Sequence, residues 1–193
     1  MMLLWIDLET TGLEAHDGEI LEVGWFISDN WEILSEAKSA IVTPTRQTFD
    51  LMKQDLVVSS MHRDNGLAAD LVLSNHTRVI EDIEDEILAD LEEVVDRFTP
   101  PVLAGASVHF DRKWIEMYMP RLDWALSHRH FDVSTLKMFF DDMGFFELGK
   151  RDTPAQHRAL PDIKDSYKLA RKYVNLINMM VDEGDTDAER VAL

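Results

Sequence analysis

The chain has 193 residues, 37 acidic against 19 basic, a formal net charge of −18 and no cysteine. Its length suits one domain with a full core, and the missing cysteines exclude disulfides, thiolate clusters and cysteine-bound zinc, so any metal is held by oxygen or imidazole and a reducing cytoplasm is the expected setting. No stretch reaches the roughly 18 consecutive apolar residues of a membrane span, and the N-terminus enters an acid-bearing apolar run instead of a basic leader, so no membrane contact is expected.

Met2 to Glu9 reads as a buried strand, closed by a turn at Thr10-Thr11-Gly12. Ile20 to Ser28 and Trp31 to Thr43 read as two more strands joined at Asp29-Asn30, an antiparallel meander. A helical stretch follows from Phe49 to Met61. His76 to Phe98 carries the clearest helical period, with Val79, Ile83, Ile87, Leu91, Val94 and Phe98 on one face and acids on the other, and Thr99-Pro100-Pro101 stops it. Val102 to Gly105 is a short interior strand. Helix and strand then alternate: Trp114 to Tyr118 helical, His130 to Val133 a strand, Ser134 to Asp142 a helix capped by Ser134, and Leu160 to Met180 a long last helix. Gly149 to Pro154 reads as a mobile loop. The pattern predicts an α/β fold with a mixed five-stranded sheet flanked by helices, as one domain over residues 1–180 and a polar tail over 181–193.

Side chains alternate across a strand, so Asp7 and Glu9 project from one face of the first one. Two adjacent carboxylates on an apolar strand repel each other and are costly to bury ionised, which calls for a shared proton or a hard cation such as Mg2+ or Mn2+. Surface acids at a strand end satisfy the same pattern. Asp111 falls where a helix begins after the Val102 strand, and Asp162 in the first turn of the last helix; each also reads as a helix cap. His157 precedes Asp162 by five residues on a loop entering that helix. Four carboxylates around two cations about 4 Å apart, with a histidine to take a proton from water, make a site for in-line displacement at phosphorus. Spacing alone does not assemble them. The acidity bears on the substrate, because a grip on many phosphates needs a basic track that this chain lacks, so a nucleic-acid substrate would be a short one.

Asp7-Leu8-Glu9-Thr10-Thr11-Gly12-Leu13 resembles the first motif of the DEDD 3′-to-5′ exonucleases, Asp111 falls at the second, and His157-Arg158-Ala159-Leu160-Pro161-Asp162 is similar to the third in its histidine-containing, DEDDh form. His62 with Asn65-Gly66-Leu67, Gly105 to Arg112 with Tyr118-Met119-Pro120, and Asp132-Val133-Ser134-Thr135-Leu136-Lys137 resemble the oligoribonuclease branch. The resemblance implies an RNase H-like fold, a homodimer, and release of 5′-mononucleotides from the 3′ end of single-stranded RNAs of about two to five nucleotides. It implies that Asp7, Glu9, Asp111 and Asp162 hold two divalent cations, Mg2+ or Mn2+, with His157 as general base. It further implies substrate contacts from Leu13 against a base and from His62, and a 5′-phosphate pocket of Ser107, Arg129, Ser134 and Thr135.

Some positions depart from the branch. Leu8, Thr10 and Phe110 are closer to proofreading exonucleases, Val57 replaces an aromatic wedge, and His128 stands where a tyrosine reaches the partner subunit. A proofreading-like exonuclease on single-stranded DNA is therefore one alternative. A non-catalytic module that binds short nucleotides is another, although such a binder has no use for His157.

Overall fold

The computed structural model describes residues 1–73, 75–94, 99–150 and 154–191, with side chains through Val181. Its central strand is β1 (Met2–Thr10), flanked by antiparallel β2 (Ile20–Asp29) and parallel β5 (Val102–Gly105), with β6 (His130–Asp132) parallel beyond β5. The short strands β3 (Glu32–Ile33) and β4 (Lys38–Ile41) both pair with the outer edge of β2. The mixed sheet therefore has six strands where five were expected. The expected third strand over 31–43 is broken because the Ser35 hydroxyl accepts the Ile27 N–H at 2.8 Å, taking a donor that a continuous ladder would use.

Alternation along β1 builds two layers. Leu4, Ile6 and Leu8, with Val23, Trp25 and Ile27 across the ladder, face a core completed by α4 (Ile80–Val94), α5 (His109–Tyr118) and α6 (Pro120–Ala125). Leu3 and Trp5 face the other way, with Phe26, against α7 (Val133–Asp142) and α8 (Ala159–Val191). On that side Trp5 stacks on Phe26 at 5.9 Å, and both meet the edge of Tyr167.

The helical region after β4 is three helices, α1 (Thr48–Gln54), α2 (Leu56–Asp64) and α3 (Leu67–Leu73), where one was expected over 49–61. Asp55 is extended and caps α2, its carboxylate accepting the Val57 and Val58 N–H groups, and Gly66 turns the chain at φ +86° before α3. The expected helix over 76–98 begins later, at Ile80, because Arg78 bridges to the β4 edge through hydrogen bonds with Ile41 and Thr43. Residues 95–98 of that expectation, and 151–153 of the expected loop, lie outside the described residues. The cap of α7 is Asp132, not Ser134: the Asp132 carboxylate accepts the Ser134 N–H at 2.8 Å. The last helix starts at Ala159 and continues past Met180 to Val191. Among the described residues no helix is long and apolar enough to cross a membrane.

Candidate active site

Asp7 and Glu9 share the α8 face of β1, and their partners on β2 are Gly24 and Glu22. Gly24 is what admits the last helix, since a Cβ there would stand 2.7 Å from both the Ala159 carbonyl carbon and the Leu160 nitrogen. The first turn of α8 lies directly on the sheet and brings Asp162 to the strand acids. Carboxylate oxygens of Asp7, Glu9 and Asp162 lie within 4.8 Å of one another. Asp111 is buried in the first turn of α5, and its Oδ1 accepts the Leu8 N–H at 3.0 Å. The ladder between β1 and β5 stops at Trp5 and Ala104, so beyond it a side chain satisfies the strand.

Crowding these acids has an electrostatic consequence. Burial, reinforced by Asp111, Glu9 and Asp162, holds the Asp7 carboxyl well above the usual carboxylate range. Glu9 is pushed up to about 8, by burial first and then by Glu22, Asp162 and Asp111. Asp111 is pushed up to about 8 by burial, against the opposing hydrogen bond from Leu8. A set of oxygen donors this close, each costly to ionise alone, fits a hard divalent cation, whose charge removes the penalty.

His157 is exposed on the segment before α8 and adopts a left-handed backbone at φ +52°. Its carbonyl accepts a hydrogen bond from the Asn65 side chain. The next residue, Arg158, bonds buried Glu22 and, through Nη1 at 2.8 Å, Asp70 of α3. Asp162 closes the turn by accepting the Gln156 N–H at 3.3 Å. The segment that carries His157 is thus fastened to β2, to α3 and to the residue between α2 and α3.

The remaining expected site residues fall in four places. Leu13 is 67% exposed just after β1, open to a ligand. His62 is fully buried: its Nε2–H donates to the Thr10 carbonyl at 3.0 Å, while Nδ1 faces Glu9 at 3.9 Å, and burial lowers its pKa. It braces the end of β1 from behind. Ser107 and Ser134 are brought together, their hydroxyls 3.2 Å apart and both N–H groups on Asp132 Oδ1. Ser107 holds φ +56° to do so. Thr135 is exposed next to Ser134. Arg129 is exposed at the opposite end of β6, and among the described residues no hydrogen bond joins its guanidinium to either serine.

Sequence reasoning missed Glu22, Arg158, Asp70 and the role of Asp132. Glu22 had a signal, a lone charge inside the apolar run Ile20-Leu21-Glu22-Val23; Asp70 had none.

Residues 4–170 match the family model described as Exonuclease (RNase_T). The oligoribonuclease of Corynebacterium efficiens is 35% identical over 97% of this chain and 83% of its own length. This chain belongs to the oligoribonucleases of the DEDDh exonuclease family. Other oligoribonucleases agree: that of Neisseria meningitidis serogroup A is 32% identical over 89% of each chain, and the mitochondrial one of Bos taurus is 33% identical over 91% of this chain and 73% of its own. Among solved structures, zinc-bound Escherichia coli exonuclease I in complex with single-stranded DNA matches with a TM-score of 0.66 at 12% identity, over 96% of this chain and 43% of that one. That likeness shows the RNase H-like fold, and this chain spans less than half of exonuclease I. Within the oligoribonucleases the fold and the family agree on a nuclease.

Proposed function

We propose that this protein is a 3′-to-5′ exoribonuclease that hydrolyses single-stranded RNAs of about two to five nucleotides to 5′-mononucleotides by two-metal chemistry. The observation that carries the reading is the convergence of Asp7, Glu9 and Asp162 within 4.8 Å, with Asp111 of α5 bonded to the same strand at Leu8. Asp7, Glu9, Asp111 and Asp162 would hold two divalent ions, Mg2+ or Mn2+. When bound, such ions lower the pKa of water and offset charge on the leaving oxygen. His157, exposed on the segment that leads into the Asp162 helix, takes the proton of the attacking water as its oxygen bonds to phosphorus and the bond to the 3′ oxygen breaks. Leu13 packs against a base. Ser107 and Ser134, with Thr135, receive the 5′-phosphate, Arg129 swings in from the opposite end of β6 to complete the pocket, and His62 holds the strand end under the substrate.

The net charge of −18 supports a short substrate over a long one. A homodimer in the cytoplasm completes the reading, supported by Trp124, 90% exposed in α6 shortly before His128 and Arg129.

The test is a time course with Mg2+ or Mn2+ on 5′-labelled RNAs from dinucleotide to about 20 nucleotides, matched single-stranded DNAs, and a His157→Ala control, in which loss of the base lowers kcat about 10²- to 10⁴-fold. Fast dinucleotide cleavage, lost in the control, is the expected result. Better degradation of long DNA would transfer the protein to the proofreading-like branch, and no hydrolysis at all would leave a binding module.

A further inference from the structure

Leu13, which packs against a base in the reading above, stands on the segment between β1 and β2 and belongs to neither strand. The ends of that segment are tied. The Thr11 N–H donates to the Glu19 carbonyl at 3.0 Å, the Glu19 N–H to the Thr11 hydroxyl at 2.9 Å, and the Glu19 carboxylate accepts the Thr45 and Thr48 hydroxyls. Between the ties, Leu13, Glu14, His16 and Asp17 are exposed, and of residues 12–18 only Ala15 is buried. His16 to Glu19 also border a cavity of about 690 Å³ shared with residues of α1 and α4, such as Leu51 and Ile80, so the segment is not packed on every side.

One face of α5 holds its middle. Asp111, Trp114 and Tyr118 recur at spacings of three and four and share that face. Asp111 meets β1 at the Leu8 N–H. Trp114 lies under Gly18, where a Cβ would stand 2.5 Å from the indole Cη2. The Tyr118 hydroxyl donates to the Gly18 carbonyl and, at 3.1 Å, to that of Ala15, a three-centre bond, while its ring stacks on Trp114 at 5.8 Å. Burial first, and Glu19 second, raise the phenol above its ordinary pKa, so it stays protonated and donating at neutral pH. The same helix thus carries a candidate metal-binding carboxylate in its first turn and the support of the Leu13 segment in its last, roughly 10 Å apart along the axis.

We propose that Tyr118 is a positioning residue for Leu13: through the Ala15 and Gly18 carbonyls it fixes where the leucine stands relative to the carboxylates, and with that the affinity for the base that packs there. The proposal rests on the functional reading above and deepens it. Without the hydroxyl the segment can shift toward the cavity, and a base must order the leucine as it binds, which weakens binding. Chemistry at phosphorus is spared, because Asp111 keeps its bond to Leu8 at the other end of the helix.

The test is Tyr118→Phe, which keeps the ring and removes the hydroxyl, made in the unsubstituted protein and in Leu13→Ala. On a 5′-phosphorylated RNA dinucleotide it should raise KM about three- to tenfold, the scale of one lost hydrogen bond, with kcat and the Mn2+ affinity from direct titration unchanged. In the Leu13→Ala background it should change KM by less than about twofold, because the leucine it positions is gone. Gly18→Ala, which pushes the same backbone off Trp114, should reproduce the rise in KM and its dependence on Leu13. An equal rise in both backgrounds, a joint fall of kcat and Mn2+ affinity, or an unchanged KM overturns the role. Direct binding of the dinucleotide with Ca2+ in place of Mg2+ makes the same comparison without turnover. A protein that hydrolyses nothing, yet loses affinity on Tyr118→Phe only while Leu13 is present, keeps the positioning role and loses the nuclease reading. An active protein whose KM and affinity hold in Tyr118→Phe does the reverse.

Discussion

Arg158 closes a fork on Glu22, with Nε 2.9 Å from Oε2 and Nη2 3.1 Å from Oε1. Glu22 also accepts the Ala159 N–H at 3.2 Å, so one buried carboxylate holds both residues that follow His157. With Asn65 on the His157 carbonyl and Asp162 accepting the Gln156 N–H, the backbone is held on both sides of a residue in the left-handed region, a conformation that costs a non-glycine residue about 1–2 kcal/mol. The contacts offset that strain and fix where the imidazole starts from.

Arg158→Gln is expected to lower kcat about 10- to 100-fold by releasing His157, the scale on which misplacement of a reacting group acts. The Mn2+ affinity read by direct titration should hold. Chemical rescue separates positioning from a direct role. Imidazole added to His157→Gly replaces the base from solution, so His157→Gly/Arg158→Gln with imidazole should match the single variant with imidazole. A slower rescued rate in the double variant would mean that Arg158 acts on substrate or metal itself.

A second expectation concerns pH in the metal-free protein. Glu9 and Asp111 rise from 4.5 and 3.8 to about 8 on folding, so between those values the folded chain binds more protons than the unfolded one. Stability then falls as pH rises, because the slope follows the protons bound by the unfolded state minus those bound by the folded. The contribution is full below pH 4 and is lost once pH passes about 8. Metal should reverse the trend, since the cation binds the ionised carboxylates. The gain in Tm on adding Mn2+ should be larger at pH 8.5 than at pH 6, and a gain that shrinks with rising pH would refute the assignment of these acids as ligands.

The sheet and the acids were legible because their signals are local. Period-two alternation along Met2–Thr10 already places Asp7 and Glu9 on one face, and the apolar spacing of α4 identifies its buried side. The breaks were not legible, because they depend on contacts distant in space. Ser35 takes the Ile27 N–H, Arg78 bridges to the β4 edge, and Asp132 collects N–H groups from Ser107 and Ser134. Convergence of the site was beyond spacing for the same reason: Asp162 reaches Asp7 only because Gly24, 138 residues earlier, has no side chain.

The serine pocket gives a third expectation. Arg129→Ala should reduce kcat/KM for a 5′-phosphorylated dinucleotide about tenfold or more, on the scale of a lost charge-assisted hydrogen bond, with Mn2+ binding unchanged. Ser134→Ala should act in the same direction and more weakly, as a neutral donor. An Arg129→Ala protein with full dinucleotide activity would remove Arg129 from the pocket.

Gly24→Ala tests how the site is assembled. The new Cβ would meet backbone atoms of Ala159 and Leu160 at 2.7 Å, and backbone cannot swing aside as the end of a long side chain can. Either β2 or the first turn of α8 must move. The cost expected is about 1–3 kcal/mol of stability, as for an overpacked core. A shift of α8 carries Asp162 away from Asp7 and Glu9 and moves His157 with it, so metal affinity and kcat should fall together, unlike the Arg158 variant, in which affinity holds. Ala170 lies on α8 itself, about three turns past that contact, in the cluster with Trp5 and Phe26. Ala170→Leu should therefore destabilise the protein by a similar amount while sparing Mn2+ binding. Equal loss of Mn2+ affinity in both variants would show that the helix moves as a rigid rod, and that Gly24 has no special hold on the carboxylates.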